Sequence, residues 1–308
     1  MTFLQSLRLK ACLIVCMTSL FTTTLAKPLN EPHSPLMPRS RVGRTLLWEW
    51  TLSRDVRSNN QIKATADSLA DLGAITSITN WETWRPLELP SSIPFRPMVR
   101  TLYQLGNIDW NHLLAVLTSQ KETIVHFYSE PDLQNISPED AVRTWKDRML
   151  PLRKKYQVKL VSPSCVGNDI GSRWLDTFMS QLLNDEKPDY LGLHFYTALD
   201  EPSGREIEIA KEYFRSRHEK HNFPVIISEL ASTSRRVPEV IYFSKAIASW
   251  LETQDWVFEY GFFGVSLWPT DNFVSPAAQL LDSSGRWTYL GKWFVGAEDD
   301  GQSEQSDG

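Results

Sequence analysis

The chain has 308 residues, of which 42% are hydrophobic, and its formal net charge is −5. This length suits one barrel-sized domain with a full core, or two small domains. The acidic balance argues against a nucleic acid or an anionic membrane surface as partner, because Lys and Arg would have to dominate on the contact surface.

The first 26 residues are typical of a secretory signal peptide. Arg8 and Lys10 precede a short apolar run over 11–21, and residues 24–26 (Thr-Leu-Ala) resemble a cleavage site. The apolar run is too short for a membrane span, and no second stretch of the chain is long enough. The sequence therefore predicts a secreted protein, extracellular or in a cell wall, with no membrane span after cleavage of the signal.

The remaining chain divides by composition into a proline-rich linker at 27–43, a folded region at 44–295 and an acidic, disordered tail at 296–308. The folded region contains eight short apolar or β-branched segments, as expected for strands that are buried on both faces. These predicted strands are Thr45–Leu52, Ile75–Trp81, Phe95–Leu102, Thr123–Ser129, Lys159–Cys165, Tyr190–Tyr196, Pro224–Ser228 and Tyr260–Val265.

Helical patterns separate most of the predicted strands. They cover 137–156, Ser172–Asn184, Arg205–Asn222 and Pro238–Gln254, whereas the three prolines between Glu82 and Pro94 indicate a loop in place of the second helix. Eight such alternations over about 250 residues predict an α/β fold, a single-domain (β/α)8 TIM barrel. An open doubly wound sheet is the alternative, but no G-x-G-x-x-G turn follows the first strand.

Two glutamates lie where a barrel of this kind carries its chemistry, at the carboxyl ends of strands. Glu130 follows the fourth predicted strand and Glu229 follows the seventh. Strands four and seven are on roughly opposite sides of the ring, so the two side chains can approach to about 5 Å, the separation in retaining glycosidases. The pair is therefore predicted to be catalytic, and an ordinary ion pair at each strand end is the alternative.

Further polar and aromatic side chains near the strand ends are candidates for sugar binding. We predict a substrate contact for His194, with a core histidine as the alternative, and a sugar hydroxyl contact for Asn80, with a turn as the alternative. Aromatic faces stack on sugar rings but also fill cores. The aromatic candidates are Trp48, Trp50, Trp81, Trp84, Tyr103, Tyr196 and Trp268. No motif for a metal, nucleotide or serine nucleophile is present, so neither a metal nor a cofactor is predicted.

The same segments resemble the fungal alkali-sensitive-linkage-protein-like glycosyl hydrolases, glycoside hydrolase family 128 of clan A. The likeness covers roughly residues 123–294. It is carried by Glu130-Pro131-Asp132-Leu133, His194-Phe195-Tyr196, Ile227-Ser228-Glu229-Leu230, and Leu280 to Gly285 followed by Thr288 to Lys292. The resemblance implies endo-acting, retaining cleavage of β-1,3-glucan in a fungal wall or extracellular setting, without a metal or cofactor. It makes Glu130 the acid/base and Glu229 the nucleophile.

Ser129 departs from the family pattern, which usually has Asn before the acid/base to bind the sugar 2-hydroxyl. Ser129 is thus a substrate-binding candidate with a shorter reach. Two alternatives follow: a β-glucan-binding wall protein that kept the barrel and lost turnover, or a clan A glycosidase for another β-glycan. In each case the expected partner is a β-glycan polysaccharide or oligosaccharide, and the expected state is a monomer.

Overall fold

The computed structural model describes residues 41–121, 123–199, 201–269 and 272–297. The predicted signal peptide, nearly all of the linker and the acidic tail from 298 onward lie outside the described residues. Eight strands are present in the described part of the chain. They are β1 (Gly43–Leu47), β2 (Ile75–Thr79), β3 (Met98–Val99), β4 (Ile124–Phe127), β5 (Lys159–Leu160), β6 (Leu191–Tyr196), β7 (Val225–Ala231) and β8 (Val257–Phe262).

The strands follow one another in parallel around a ring. Five form a sheet in the order β2-β1-β8-β7-β6, and three form a sheet in the order β3-β4-β5. Single parallel bridges, Ile78 to Phe95 and Val161 to Tyr190, join the two sheets. Since β1 pairs with both β2 and β8, the larger sheet continues across the first and last strands, and the predicted α/β barrel fold is confirmed.

Nine α-helices lie outside the ring in the described residues. They are α1 (Leu52–Asp55), α2 (Asn60–Ser68), α3 (Asn107–Ser119), α4 (Pro138–Thr144), α5 (Leu150–Tyr156), α6 (Asp169–Ser180), α7 (Ser203–His221), α8 (Val237–Leu251) and α9 (Tyr289–Val295). Within the described ranges, none of the helices is both long and apolar enough to cross a membrane.

The predicted helix over 137–156 is continuous but contains one wider turn. Ser137 caps its start by accepting from the backbone N–H of Asp140, and Trp145–Met149 form a π-turn between α4 and α5. Pro151 follows this turn and has no N–H to donate into a regular helical ladder, so the wider turn accommodates it. Trp145, the first residue of this turn, is fully buried.

Several predicted strand ends need correction, although all eight strands exist. The first strand stops at Leu47, because the chain turns into α1 instead of continuing to Leu52. The third and fifth strands have only two residues each. In contrast, β7 continues three residues beyond the predicted end at Ser228, so Glu229 lies inside a strand whose residues are all buried. As predicted, a loop connects β2 to β3 without a helix.

The barrel interior contains a charged pair below the strand ends. The Arg96 guanidinium donates from Nε to Oε1 of Glu259 over 2.8 Å, and the Glu259 side chain has no exposed surface. Ser77 on β2 donates its hydroxyl to Oε2 of Glu259 over 2.8 Å. These contacts connect the loop before β3, β2 and β8, and so fix the strands that carry the cleft above them.

Candidate active site

The two predicted catalytic carboxylates face each other at the carboxyl ends of β4 and β7. One oxygen of Glu130 lies within 4.8 Å of one oxygen of Glu229. Carboxyl groups about 5 to 5.5 Å apart are typical of retaining glycosidases, whereas inverting enzymes leave room for a water between them. The separation therefore suits direct attack on the sugar by one of the two carboxylates.

The backbone turns sharply to place Glu130. Tyr128 and Glu130 have φ angles of +42° and +49°, in the left-handed region that non-glycine residues rarely occupy. The Glu130 N–H donates to the carbonyl of Ser164 over 2.7 Å, which ties the turn to the segment after β5. Strained non-glycine residues of this kind cluster at functional sites, where the surrounding fold holds them.

Glu229 is held by a neutral donor on each oxygen. The indole Nε1 of Trp81 donates to Oε1 over 2.6 Å, and the hydroxyl of Tyr196 donates to Oε2 over 2.5 Å. A longer contact of 3.4 Å joins the Ser129 hydroxyl to Oε1. Such donors stabilise a carboxylate and fix its orientation, as a nucleophile requires.

Phe263 supports both donors from the segment after β8. Its ring packs edge-on against Trp81 at 5.5 Å and against Tyr196 at 6.0 Å between centroids. Trp81 itself has a φ of +60°, which is a third strained position at the site. The two donors are therefore positioned by aromatic packing as well as by the backbone.

His194 lies beneath the carboxylates and not on the cleft surface. Its side chain has no exposed area, so the predicted contact with substrate is wrong. Nδ1 is 3.1 Å from Oε1 of Glu130 and 3.6 Å from Oε2 of Glu229. Burial lowers the pKa of His194, but the carboxylates of Glu229 and Glu130 together outweigh burial, and the net pKa is raised.

A hydroxyl pair fixes the other nitrogen of this ring. Nε2 of His194 is 3.0 Å from the Ser228 hydroxyl, which is in turn 3.2 Å from the Ser164 hydroxyl. The contact with Ser228 sets how the imidazole is oriented toward Glu130. Ser164 and Ser228 were not predicted as site residues, since a small polar residue inside a strand has no distinctive sequence signal.

A cleft of about 510 Å³ opens above Glu229. Four of the predicted binding residues line it, namely Trp50, Trp81, Ser129 and Trp268. Trp50 and Trp268 are 43% and 67% exposed, so their faces are available to a ligand. Tyr196 reaches the site through its hydroxyl on Glu229.

Three other predictions are corrected by the placement of the side chains. Trp48 is completely buried in the core, where its Nε1 donates to Glu88 over 2.8 Å, and it cannot stack on a sugar. Asn80 closes a turn by accepting from the N–H of Glu82 and donating to the carbonyl of Trp84. Tyr103 is 82% exposed on a short helical turn and is not among the residues that line the cleft.

Glu49 and Arg100 also line the cleft and were missed by the sequence reasoning. Burial raises the pKa of Glu49, although hydrogen bonds from the N–H and hydroxyl of Thr51 oppose the shift. The available signal was the position of Glu49 between Trp48 and Trp50 at the end of β1.

Glu130, His194 and Glu229 each offer one donor atom within 4.8 Å of the others, a spacing at which a cation can be held. However, both Glu229 oxygens accept hydrogen bonds, and Nδ1 of His194 faces Glu130. Hydrogen bonds among the residues present thus satisfy this cluster, and the geometry fits a pair of reacting carboxylates. That no metal or cofactor is used stays a prediction.

The sequence matches the family model described as glycosyl hydrolase catalytic core over residues 56–294. No match to a curated protein was found. Among solved structures, a family 128 (subgroup VI) exo-β-1,3-glucanase from Aureobasidium namibiae shares 37% sequence identity, with a TM-score of 0.73 and coverage of 82% of this chain and 96% of that chain.

Two more distant structures share the fold. A subgroup IV endo-β-1,3-glucanase from Lentinula edodes has 20% identity and a TM-score of 0.64, with 82% of this chain and 98% of that chain covered. A subgroup I endo-β-1,3-glucanase from Amycolatopsis mediterranei, solved with laminarihexaose, has 18% identity and a TM-score of 0.63, with coverage of 84% and 99%. On the family match, the 37% relative and the barrel with its paired carboxylates, this chain belongs to glycoside hydrolase family 128 and is a glycoside hydrolase.

Proposed function

We propose that the protein hydrolyses β-1,3-glucan with retention of configuration, using Glu229 as nucleophile and Glu130 as acid/base. The observation that carries this proposal is the approach of the two carboxylates to within 4.8 Å. The substrate class is supported by the relatives, because the 37% identical enzyme from Aureobasidium namibiae is a β-1,3-glucanase.

The surroundings of the two carboxylates support this division of roles. In the first step Glu229 attacks the anomeric carbon while Glu130 gives its proton to the leaving oxygen; in the second, Glu130 takes a proton from the water that releases the sugar. The nucleophile needs a fixed orientation, and Glu229 has two short hydrogen bonds and a side chain only 8% exposed. The acid/base needs access to water, and the Glu130 side chain is 25% exposed.

Two modes of attack on the glucan are candidates. The sequence motifs predict endo-acting cleavage, which is the activity of the relative from Lentinula edodes. Exo-acting cleavage is favoured by the relative from Aureobasidium namibiae, which shares the higher identity. A time course on laminarin separates them, since endo-attack releases a series of oligosaccharides early and exo-attack releases one short product throughout.

We also propose that the protein is secreted as a monomer and acts outside the cell or in a fungal wall. The signal-like pattern over residues 1–26 supports the secretion part of this proposal. Amino-terminal sequencing of protein recovered from culture medium tests it, and a chain that starts after Ala26 is the expected result. Light scattering on the same sample gives the oligomeric state.

The function is tested with the wild type, Glu130→Gln and Glu229→Gln on laminarin and a panel of other β-glucans. We expect wild-type cleavage of β-1,3-glucan, with the β-anomer formed first in an NMR time course, and no turnover by Glu229→Gln. Glu130→Gln should lose activity on laminarin but keep the first step on aryl glycosides with good leaving groups, which need no protonation. Normal turnover by Glu229→Gln would show that the nucleophile is misassigned. If the wild type cleaves another glycan but no β-1,3-glucan, the substrate is misassigned.

A further inference from the structure

A second concave surface lies next to the cleft, on the side of α1 and α3. We call it the Trp84 groove, and its walls include Trp50, Arg54, Trp84, Arg85, Leu87 and His112. Its volume of about 1070 Å³ is twice that of the cleft, at about 510 Å³. It is formed where the loop between β2 and β3 replaces a helix and leaves the side of α3 uncovered.

The groove and the cleft are continuous. Trp50 and Arg54 line both of them, so that the 43% exposed Trp50 ring stands at their junction. A ligand that leaves the cleft over Trp50 therefore enters the groove next. This continuity argues for one extended ligand and against an unrelated second one.

The wall of the groove is held in place from beneath. The Glu88 carboxylate in the loop accepts from Nε1 of Trp48 over 2.8 Å and from the Ser53 hydroxyl over 2.6 Å. These bonds connect the loop to the end of β1 and to α1. The groove is thus preformed, which lowers the cost of ordering it around a ligand.

The side chains in the groove suit a neutral carbohydrate. Trp50 and Trp84 offer aromatic faces, Leu87 is 93% exposed, and apolar faces of this kind pack against sugar rings. Of the three arginines in its walls, Arg54 pairs with Asp55 at 2.7 Å and Arg85 donates to the carbonyl of Pro90, which leaves at most Arg57 for an anion. An anionic ligand would need guanidinium groups that are free to pair with it.

We propose that the Trp84 groove binds the part of a β-1,3-glucan chain that extends beyond the catalytic cleft, so that the enzyme favours long chains. The inference rests on the proposed function. It assigns Trp84 and Leu87 to substrate binding without any part in the chemical step. Loss of these contacts should raise KM for long substrates and leave short substrates unaffected.

The test compares Trp84→Ala with wild type on β-1,3-linked oligosaccharides of increasing length and on laminarin. We expect KM to rise about 10-fold for the longest substrates, with kcat and the KM of the shortest substrates unchanged. Leu87→Asp is the second variant, because the Leu87 side chain is 93% exposed and its replacement leaves the core packing intact. Tyr242→Ala, which changes an exposed aromatic residue on α8 outside the groove, is the matched control and should behave like wild type.

Two results would overturn the inference while leaving the proposed function intact. One is wild-type cleavage with no preference for long chains. The other is that Trp84→Ala and Leu87→Asp, both folded by circular dichroism, keep the wild-type dependence of KM on length. A wild type that cleaves no β-1,3-glucan of any length would overturn the proposed function together with the inference.

Discussion

Tyr196 and Glu229 are joined by a hydrogen bond of 2.5 Å between the phenolic hydroxyl and Oε2, while the indole of Trp81 donates to the other oxygen of the same carboxylate. Glu130 lies 3.1 Å from Nδ1 of His194, closer than Glu229 does at 3.6 Å. The two glutamates therefore differ in surroundings although both lie at strand ends. That difference is the structural basis for assigning one as nucleophile and the other as acid/base.

The first prediction concerns the donor on Oε2. Tyr196→Phe removes the hydroxyl but keeps the ring that packs against Phe263. A hydrogen bond to a charged group contributes about 1.5 to 3 kcal/mol, so kcat/KM on laminarin should fall by roughly 10- to 100-fold. Steady-state kinetics measure the loss, and Tyr242→Phe on the exposed face of α8 is the control. An active Tyr196→Phe variant with unchanged kcat/KM would mean that the donors on Oε1, Trp81 and Ser129, suffice to orient Glu229.

The barrel and the positions of both glutamates could be predicted from the sequence, because they depend on local patterns. Strands buried on both faces read as short apolar runs, and residues after such runs collect at one end of the ring. Glu130 and Glu229 follow from that rule alone. The loop that connects β2 to β3 in place of a helix was also predictable, because its three prolines would interrupt a helix.

Which of the aromatic candidates line the cleft could not be predicted, because this depends on contacts between distant segments. Trp48 and Trp50 are two positions apart, and a continuing strand would place both on one face. The strand ends at Leu47 and the chain turns, so Trp48 is buried and Trp50 is exposed. Likewise, the contact between His194 and the Ser228 hydroxyl depends on the register of β6 against β7, which the sequence does not reveal.

The second prediction concerns the buried ion pair inside the barrel. Glu259→Ala leaves the Arg96 guanidinium, 6% exposed, without its carboxylate partner. Removing one member of a buried pair costs about 3 to 5 kcal/mol, because the remaining charge stays buried and uncompensated. Urea unfolding should show this loss. Asp67→Ala, which breaks the exposed pair with Lys63, should change the free energy of unfolding by less than about 0.5 kcal/mol. Similar small losses in both variants would contradict the prediction.

The third prediction concerns acid stability. Burial is the main cause that lowers the pKa of His126 from 6.5 to about 4; Glu259 opposes the shift, and Arg96 and His194 add to it. Between these two pH values the unfolded chain binds a proton that the folded chain does not, so stability is lost as the pH falls from 6.5 to about 4. The loss from this residue amounts to about 3 kcal/mol.

His126→Asn removes this titration. The free energy of unfolding of the variant should depend less steeply on pH over that interval than the wild-type value does. The slope of this pH dependence is the readout, because a general destabilisation by the substitution lowers the free energy of unfolding by the same amount at every pH. His112→Asn changes an exposed histidine and should keep the wild-type slope. Equal slopes in wild type and His126→Asn would assign the acid sensitivity to other groups.

The last prediction concerns Ser129, which lines the cleft and reaches Glu229 only over 3.4 Å. In the family pattern, Asn at this position binds the sugar 2-hydroxyl, and contacts to that hydroxyl supply several kcal/mol in the transition state. Ser129→Asn should therefore raise kcat/KM by about 10-fold on a substrate with a 2-hydroxyl, equivalent to about 1.4 kcal/mol. The gain should vanish on the matching 2-deoxyglucoside, because the added amide then has no hydroxyl to bind. An equal gain on both substrates would mean that the added amide acts on Glu229 and not on the 2-hydroxyl. No gain on either substrate would mean that Ser129 already binds the 2-hydroxyl through a water.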